Sequence, residues 1–293
     1  MADFSKIDKT VRLPVAIAVF PYLQDHRFEG KAVLPAVEAM RILASAVKEF
    51  APETDISAFA NITFDKFLFI PTVAKKIEAL CNITQLVNGG IRAVLQTKTR
   101  TKTAAFTRIK DHVTVHYPAE KPVVTSYLHN RLRFGHSDSG CLKISADQIY
   151  RELVPFGPAY HNISENLSVY KDGAVAKLRA PEHLKNNTGQ LGSPFVLDAA
   201  FHCACVWGQR YRGMVAFPVA IEKRIIVEPT RSGDTYIGTV SPVRIDSNML
   251  IFDIYICDED NTLYEIALGV HMRDVSAGRM QPPSWIIATD QKL

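Results

Sequence analysis

Short runs of residues in which hydrophobic and polar side chains alternate recur along most of this chain. Several of these runs have the period of two and the β-branched composition that are typical of β-strands. Asn88-Gly89-Gly90 lies between two of them and predicts a hairpin turn. The strands predicted in the first half of the chain are VRLPVAIAV, ITFDKFLFI, IEALCNITQLV, IRAVLQTKTR and HVTVHY.

Two apolar segments depart from this alternation and predict helices, one over residues 36–50 and the other over residues 193–211. Because the first helix is apolar on all sides, we expect it inside the fold, with a sheet curled around it. In the second half, Asp172-Gly173 predicts another hairpin turn. The strand-like segments of that half are LSVYKDGAVAKL, FPVAIEKRIIVEP, DTYIGTVSPVRI, MLIFDIYICDED and TLYEIALGVHMRDV.

The two halves therefore share one plan, a buried helix with a long antiparallel sheet, which indicates an internal duplication of structure. This plan predicts an α+β fold of the double hot dog type, with two antiparallel sheets each wrapped around a central helix. The pattern alone leaves open a single, unrelated α+β domain with a large sheet. The polar stretch from Tyr117 to Gly140 is interpreted as the crossover, with halves at residues 1–130 and 131–293.

Composition excludes several classes of protein. The chain has 293 residues, 47% of them hydrophobic and 22% charged, which fits one large or two fused globular domains. A net charge of +4 without a Lys/Arg block argues against nucleic-acid binding, although it would permit an acidic protein partner. No apolar run is long enough to span a membrane, and five cysteines without framework spacing indicate reduced thiols. A soluble, cytoplasmic protein is expected.

A histidine motif directly precedes the first predicted helix. His26, Gly30 and Pro35 have the spacing HxxxGxxxxP. Gly30 permits a tight backbone turn, and Pro35 suits the first turn of a helix. A histidine in this position can act as a general base near neutral pH, although most histidines at such places are surface or capping residues.

The second predicted helix carries an aspartate among apolar residues. Asp198 lies between Leu197 and Ala199, where an unpaired carboxylate is costly, so we expect the neutral acid, which can donate a proton. His202 follows four residues later, on the same helix face, and can orient that acid. The alternative is a capping or solvent-facing aspartate. Cys203 and Cys205 point in different directions on a helix, which argues against a metal site.

These motifs resemble the dehydratase domains of polyketide and polyunsaturated fatty acid synthases over nearly the whole chain. His26 matches the histidine motif of that family, Asp198 and His202 match its DxxxQ/H pattern, and Phe156-Gly157-Pro158 is similar to its YGP segment. The resemblance implies that His26 is the catalytic base and Asp198 the catalytic acid. The supporting residues that it implies are His202, Gly157, Pro158, Gly30, Pro35 and Tyr160.

The chain departs from the family pattern at two places. The family commonly has a tyrosine before Gly-Pro, whose hydroxyl helps to position the acid, and this chain has Phe156. Tyr160 or His161 is the candidate replacement. Ala36 follows Pro35 where many modular synthases have glycine, which is more similar to the polyunsaturated fatty acid branch.

A dehydratase of this family eliminates water from a β-hydroxyacyl thioester on a carrier protein. The resemblance thus implies three partners: an acyl carrier protein with its phosphopantetheine, the acyl thioester substrate, and other synthase subunits. It implies no metal or other cofactor, and it is compatible with a homodimer. Two alternatives stay open at this point: a product-template-like aldol cyclase with a similar His/Asp pair, and a catalytically silent scaffold that binds carrier protein.

Overall fold

The computed structural model describes residues 7–100, 107–124, 140–182 and 189–288. The chain divides into two compact units, the first ending at Pro122 and the second beginning at Val123. The predicted boundary at residue 130 lies outside the described residues and stays a prediction, as does most of the crossover from Tyr117 to Gly140.

The first unit consists of one long helix and an antiparallel sheet. In the sheet the strand order is β1-β5-β6-β7-β4, and helix α1 packs against β1, β5, β6 and β7. A separate small hairpin is formed by β2 and β3. The elements are β1 (Ile7–Ala18), β2 (Arg27–Phe28), β3 (Lys31–Ala32), α1 (Ala36–Phe50), β4 (Ala58–Phe64), β5 (Lys76–Leu86), β6 (Ile91–Arg100) and β7 (Thr107–Tyr117).

Helix α1 has the predicted bounds but not the predicted surface. Met40, Leu43 and Val47 are fully buried against the sheet, whereas Ser45 and Glu49 are exposed. The expectation of an all-round apolar helix is therefore wrong. The sheet of the first unit covers one side of α1, and the polar positions of the helix occupy the other.

The second unit repeats the plan with a more deeply buried helix. Its strand order is β11-β14-β13-β12-β10-β9-β8, and helix α2 packs against β9 to β13. Every residue of α2 from Pro194 to Gln209 is buried. The elements are β8 (Leu142–Ser145), β9 (Ile163–Tyr170), β10 (Gly173–Arg179), α2 (Pro194–Arg212), β11 (Phe217–Ile226), β12 (Thr235–Ile245), β13 (Leu250–Cys257) and β14 (Leu263–Arg273).

Most predicted strands are present, with three differences. The predicted strand over residues 62–70 ends at Phe64, and the residues after it make scattered backbone hydrogen bonds with β7, with β3 and with Leu34. Strand β8 and the hairpin of β2 and β3 were not predicted. Among the helices of the described ranges, none combines the length and the apolar character needed to cross a membrane.

The start of α2 is held by a close approach of two backbone segments. Gly192 has φ +70°, and a Cβ atom there would lie 2.5 Å from the backbone nitrogen of Thr230. The N–H of Ser193, which precedes the helix, donates to Thr230 Oγ1 at 2.8 Å. Gly192 is therefore required both by its backbone conformation and by the space available.

We expect Gly192→Ala to lower the free energy of unfolding by about 3 kcal/mol, because left-handed strain and a backbone clash act together. The matched control is Gly213→Ala at the other end of α2, where φ is +60° and no atom lies within 4 Å of the added Cβ. That substitution should cost only about 1 kcal/mol. Urea unfolding of both variants measures the difference, and equal losses would contradict the role of the clash.

In the first unit a buried carboxylate ties α1 to the turn that precedes His26. The hydroxyl of Tyr22 donates to Glu38 Oε1 at 2.9 Å, and Arg41 Nη1 donates to Glu38 Oε2 at 3.0 Å. Burial, together with the charge of Glu38, raises the pKa of Tyr22 above its ordinary value, so the phenol remains a donor. The charge of Glu38 is thus balanced by Arg41 inside the unit.

Tyr22→Phe should lower the free energy of unfolding by about 2 kcal/mol, because it removes a hydrogen bond to a buried charged group. The control is the same substitution in a Glu38→Met background, where the acceptor is already absent. There the loss should be well below that in the wild-type background. Equal losses in the two backgrounds, measured by urea unfolding, would show that the hydroxyl is not coupled to Glu38.

Candidate functional site

His26 follows a short helical turn, Pro21–Asp25, and starts the small hairpin of β2 and β3. The hairpin turn is made by Glu29 and Gly30, with φ values of +48° and +76°. Two positive φ values in succession match the twist of a tight hairpin, and the second is where glycine is favoured. Gly30 therefore returns the chain so that Val33 lies beside His26.

Two hydrogen bonds with the backbone of Val33 fix His26. The carbonyl of His26 accepts from the N–H of Val33 at 2.9 Å, and Nδ1 of its ring lies 3.1 Å from the carbonyl oxygen of Val33. Since a carbonyl can only accept, we assign the ring hydrogen to Nδ1. In the neutral imidazole Nε2 then carries the lone pair, which is the form that a general base needs.

The hairpin is anchored by the segment that follows β4. The N–H of Leu34 donates to Leu68 at 2.9 Å, and the N–H of Ile70 donates to Ala32 at 2.8 Å. Pro35 is the residue directly before α1, and its carbonyl accepts from Ala39 at 3.0 Å. In the motif HxxxGxxxxP, the glycine thus turns the chain back beside the histidine, and the proline precedes the first residue of the helix.

Asp198 lies in the second turn of α2 and is 4% exposed, so it is neither a cap nor a solvent-facing residue. His202, one turn later, is equally buried, and its Nε2 lies 3.1 Å from Asp198 Oδ2. The spacing of four residues predicts this contact. The ring of Phe156 packs against His202 with its centroid 5.1 Å away.

The glycine-proline segment forms a turn beside these residues. Gly157 has an ordinary extended backbone with φ −74°, and Pro158 starts a short helical turn that ends at Tyr160. Tyr160 is buried, and its ring lies 5.1 Å from that of Phe195. His161 Nε2 donates to the carbonyl of Phe156 at 2.9 Å, so this histidine holds the turn.

Sequence reasoning missed Tyr150, which lies in a π-helical turn, Ile149–Leu153. The N–H groups of Asn162 and Ile163 lie 3.0 and 2.8 Å from its hydroxyl oxygen, and His202 Nδ1 lies 3.4 Å from the same atom. Tyr150 is 52 residues from His202 in the chain and belongs to none of the motifs above. No spacing in the sequence points to this contact.

Within the described ranges, no group of three or more His, Cys, Asp or Glu side chains could hold a metal ion. The thiols beside His202 are buried, and burial raises the pKa of Cys205 to about 11 and that of Cys203 further. Both thiols therefore stay protonated, the form that does not bind metal. His26 and Asp198 belong to different units, and that they face one substrate stays a prediction.

Two family models match this chain, one in each unit. The model described as polyketide synthase dehydratase domain matches residues 8–93, and that described as polyketide synthase dehydratase N-terminal domain matches residues 137–282. The chain is also 22% identical over 290 residues to polyketide synthase PksM of Bacillus subtilis (strain 168). The match covers 93% of this chain but only 6% of the length of PksM.

Solved structures share the fold. A trans-AT polyketide synthase dehydratase domain from Brevibacillus brevis is 19% identical, with a TM-score of 0.68 over 92% of this chain and 95% of that chain. An inactive mutant of the CurJ dehydratase is 18% identical, with a TM-score of 0.66 over 92% of each chain. The predicted double hot dog fold is thereby confirmed. With its two units matched by the two models, the chain belongs to the polyketide synthase dehydratase family.

Proposed function

We propose that this chain eliminates water from a β-hydroxyacyl thioester carried on the phosphopantetheine of an acyl carrier protein, in the assembly of a polyketide or a related fatty acyl chain. The observation that carries the proposal is the arrangement of two groups in a chain of this family, the imidazole that precedes α1 and the carboxyl group in α2. His26 presents the tautomer of a base, and Asp198 is a buried carboxyl group that lies 3.1 Å from His202.

The reaction needs two proton transfers. The thioester carbonyl makes the α-proton acidic, and Nε2 of His26 removes it. The electron pair of that C–H bond becomes the new double bond, and the bond from the β-carbon to the hydroxyl breaks. Asp198 gives its proton to the departing hydroxyl, which leaves as water, so the product is an enoyl thioester. A proton then returns from His26 to Asp198, directly or through solvent, and resets the site.

The residues around each group support these roles. The carbonyl of Val33 accepts from Nδ1 of His26 and would stabilise the imidazolium that forms when Nε2 takes the proton. Backbone N–H groups near Gly157 or in the first turn of α1 are the donors proposed for the thioester oxygen, where negative charge develops. Gly30 and Pro35 place His26 ahead of that first turn.

The proposal includes partners and location. The carrier protein, the acyl thioester and the other subunits of a synthase are the proposed partners, and the cytoplasm is the proposed location. Because both steps are proton transfers, the chemistry requires no metal or redox cofactor. The CurJ dehydratase is described as inactive when one of its histidines is replaced by phenylalanine, which supports a histidine as the base.

A second candidate function is a scaffold that binds carrier protein without turnover. Phe156 favours it, because this residue lacks the hydroxyl that commonly positions the acid in the family. Retention of both His26 and Asp198 favours catalysis, and the two candidates differ in a direct assay.

In that assay the protein is incubated with β-hydroxyacyl carrier-protein or N-acetylcysteamine thioesters of several chain lengths, and loss of one water is followed by mass spectrometry. His26→Ala and Asp198→Asn should each lower kcat on the order of 10²-fold or more, since each removes a proton-transfer group. The control is His271→Gln, which removes a histidine paired with Glu222 on the strand surface, and it should retain the wild-type rate.

Two outcomes would decide against the proposed reaction or against its reacting pair. Absence of water loss by the wild-type protein with every chain length would overturn it. Carrier-protein binding in that case would favour the scaffold. Unchanged rates in both site variants would show that His26 and Asp198 are not the reacting pair.

A further inference from the structure

The hydroxyl of Tyr150 has its acceptor capacity filled by the backbone. The N–H groups of Asn162 and Ile163 both donate to its oxygen, at 3.0 and 2.8 Å. A phenolic oxygen offers two lone pairs at most, so the hydroxyl hydrogen is left to be donated. The acceptor within reach is Nδ1 of His202, 3.4 Å away.

The contact between Tyr150 and His202 determines which nitrogen of His202 carries the hydrogen. If Nδ1 of His202 accepts, the hydrogen of the neutral imidazole must be on Nε2. Nε2 is the atom that lies 3.1 Å from Asp198 Oδ2. Hydrogens therefore point from the backbone to Tyr150 and from Tyr150 to His202, which leaves the N–H of His202 beside the carboxyl group of Asp198.

Packing keeps Tyr150 in this place. Its ring stacks on that of His161, with centroids 4.3 Å apart and planes within 10°. On the helix side, Gln209 of α2 donates from Nε2 to the carbonyl of Leu153 at 2.9 Å, which fixes the turn that carries Tyr150. Burial raises the pKa of Tyr150 well above its ordinary value, so the phenol keeps its hydrogen at any physiological pH.

We propose that Tyr150 is a positioning residue that sets the tautomer of His202 and, through it, the orientation of Asp198. The inference rests on the proposed dehydratase function. In this chain Tyr150 would replace the missing tyrosine at Phe156, whose ring instead packs on His202.

The first test reads the tautomer directly and needs no substrate. Protein labelled with ¹⁵N-histidine is observed by NMR, and the His202 signals are identified by their loss in His202→Gln. In the wild type we expect a protonated Nε2 and an unprotonated, hydrogen-bonded Nδ1. In Tyr150→Phe the Nδ1 signal should move, because its donor is removed.

The matched control is Tyr236→Phe. Tyr236 is a buried tyrosine of the same unit whose hydroxyl also accepts a backbone N–H, that of Arg231 at 2.6 Å. The substitution therefore removes a hydroxyl and leaves a backbone donor unsatisfied, as Tyr150→Phe does. It should leave the His202 signals unchanged, which separates the specific contact from a general loss of stability.

The second test is kinetic. Tyr150→Phe should lower kcat on the order of tenfold, the equivalent of about one hydrogen bond, with little change in KM because substrate binding is not involved. In a His202→Leu background the same substitution should have no further effect on kcat. His202→Gln, whose amide offers one acceptor and one donor, should retain more activity than His202→Leu.

The inference is overturned if wild-type His202 carries its hydrogen on Nδ1, or if Tyr150→Phe leaves the His202 signals unchanged. It is also overturned if Tyr150→Phe lowers kcat by the same factor with and without His202, because Tyr150 would then act by another route. If no thioester is dehydrated by the wild type, the proposed function fails, and the NMR experiment still decides whether Tyr150 sets the tautomer.

Discussion

One carboxyl group inside an apolar helix is the constraint on which the second unit depends. Helix α2 is buried along nearly its whole length, and Asp198 lies in its second turn. A carboxyl group in such a place is unfavourable unless polar groups surround it. His202 supplies the neighbour on the same helix, and the turn with Tyr150 supplies the group behind it. The packing of that turn against α2 therefore also determines the surroundings of Asp198.

In the first unit the proposed catalytic side chain is likewise oriented by a fixed partner, which there is a backbone group. His26 is oriented by the carbonyl of Val33, and the hairpin that brings Val33 to it turns at Gly30. In both units one nitrogen of an imidazole is engaged by a fixed partner, and this decides which form the other nitrogen takes. The hydrogen-bond partner, rather than the histidine itself, sets whether the ring accepts a proton or donates a hydrogen bond.

Much of the fold could be predicted because strands and helices of ordinary length carry their own period. Helix α1 and strand β6 have the predicted bounds, since their patterns extend over many residues. The hairpin of β2 and β3 was missed because its strands have two residues each, too few for any alternation to show. The apolar run after Phe64 is a strand by composition, but its backbone hydrogen bonds are made with Ala32 at the end of β3 and with Leu34.

The sequence by itself determined the repeated plan of helix and sheet, the family, and the two residues proposed as base and acid. Local spacing was enough for each of these, including the contact of Asp198 with His202, because residues four apart meet on any helix. Only the tertiary structure decided which groups form hydrogen bonds with the histidines beside these reacting atoms. Tyr150 reaches His202 from 52 residues away, and Val33 reaches His26 only because the chain turns back at Gly30. Such contacts form when distant segments pack together, and no local period in a sequence records them.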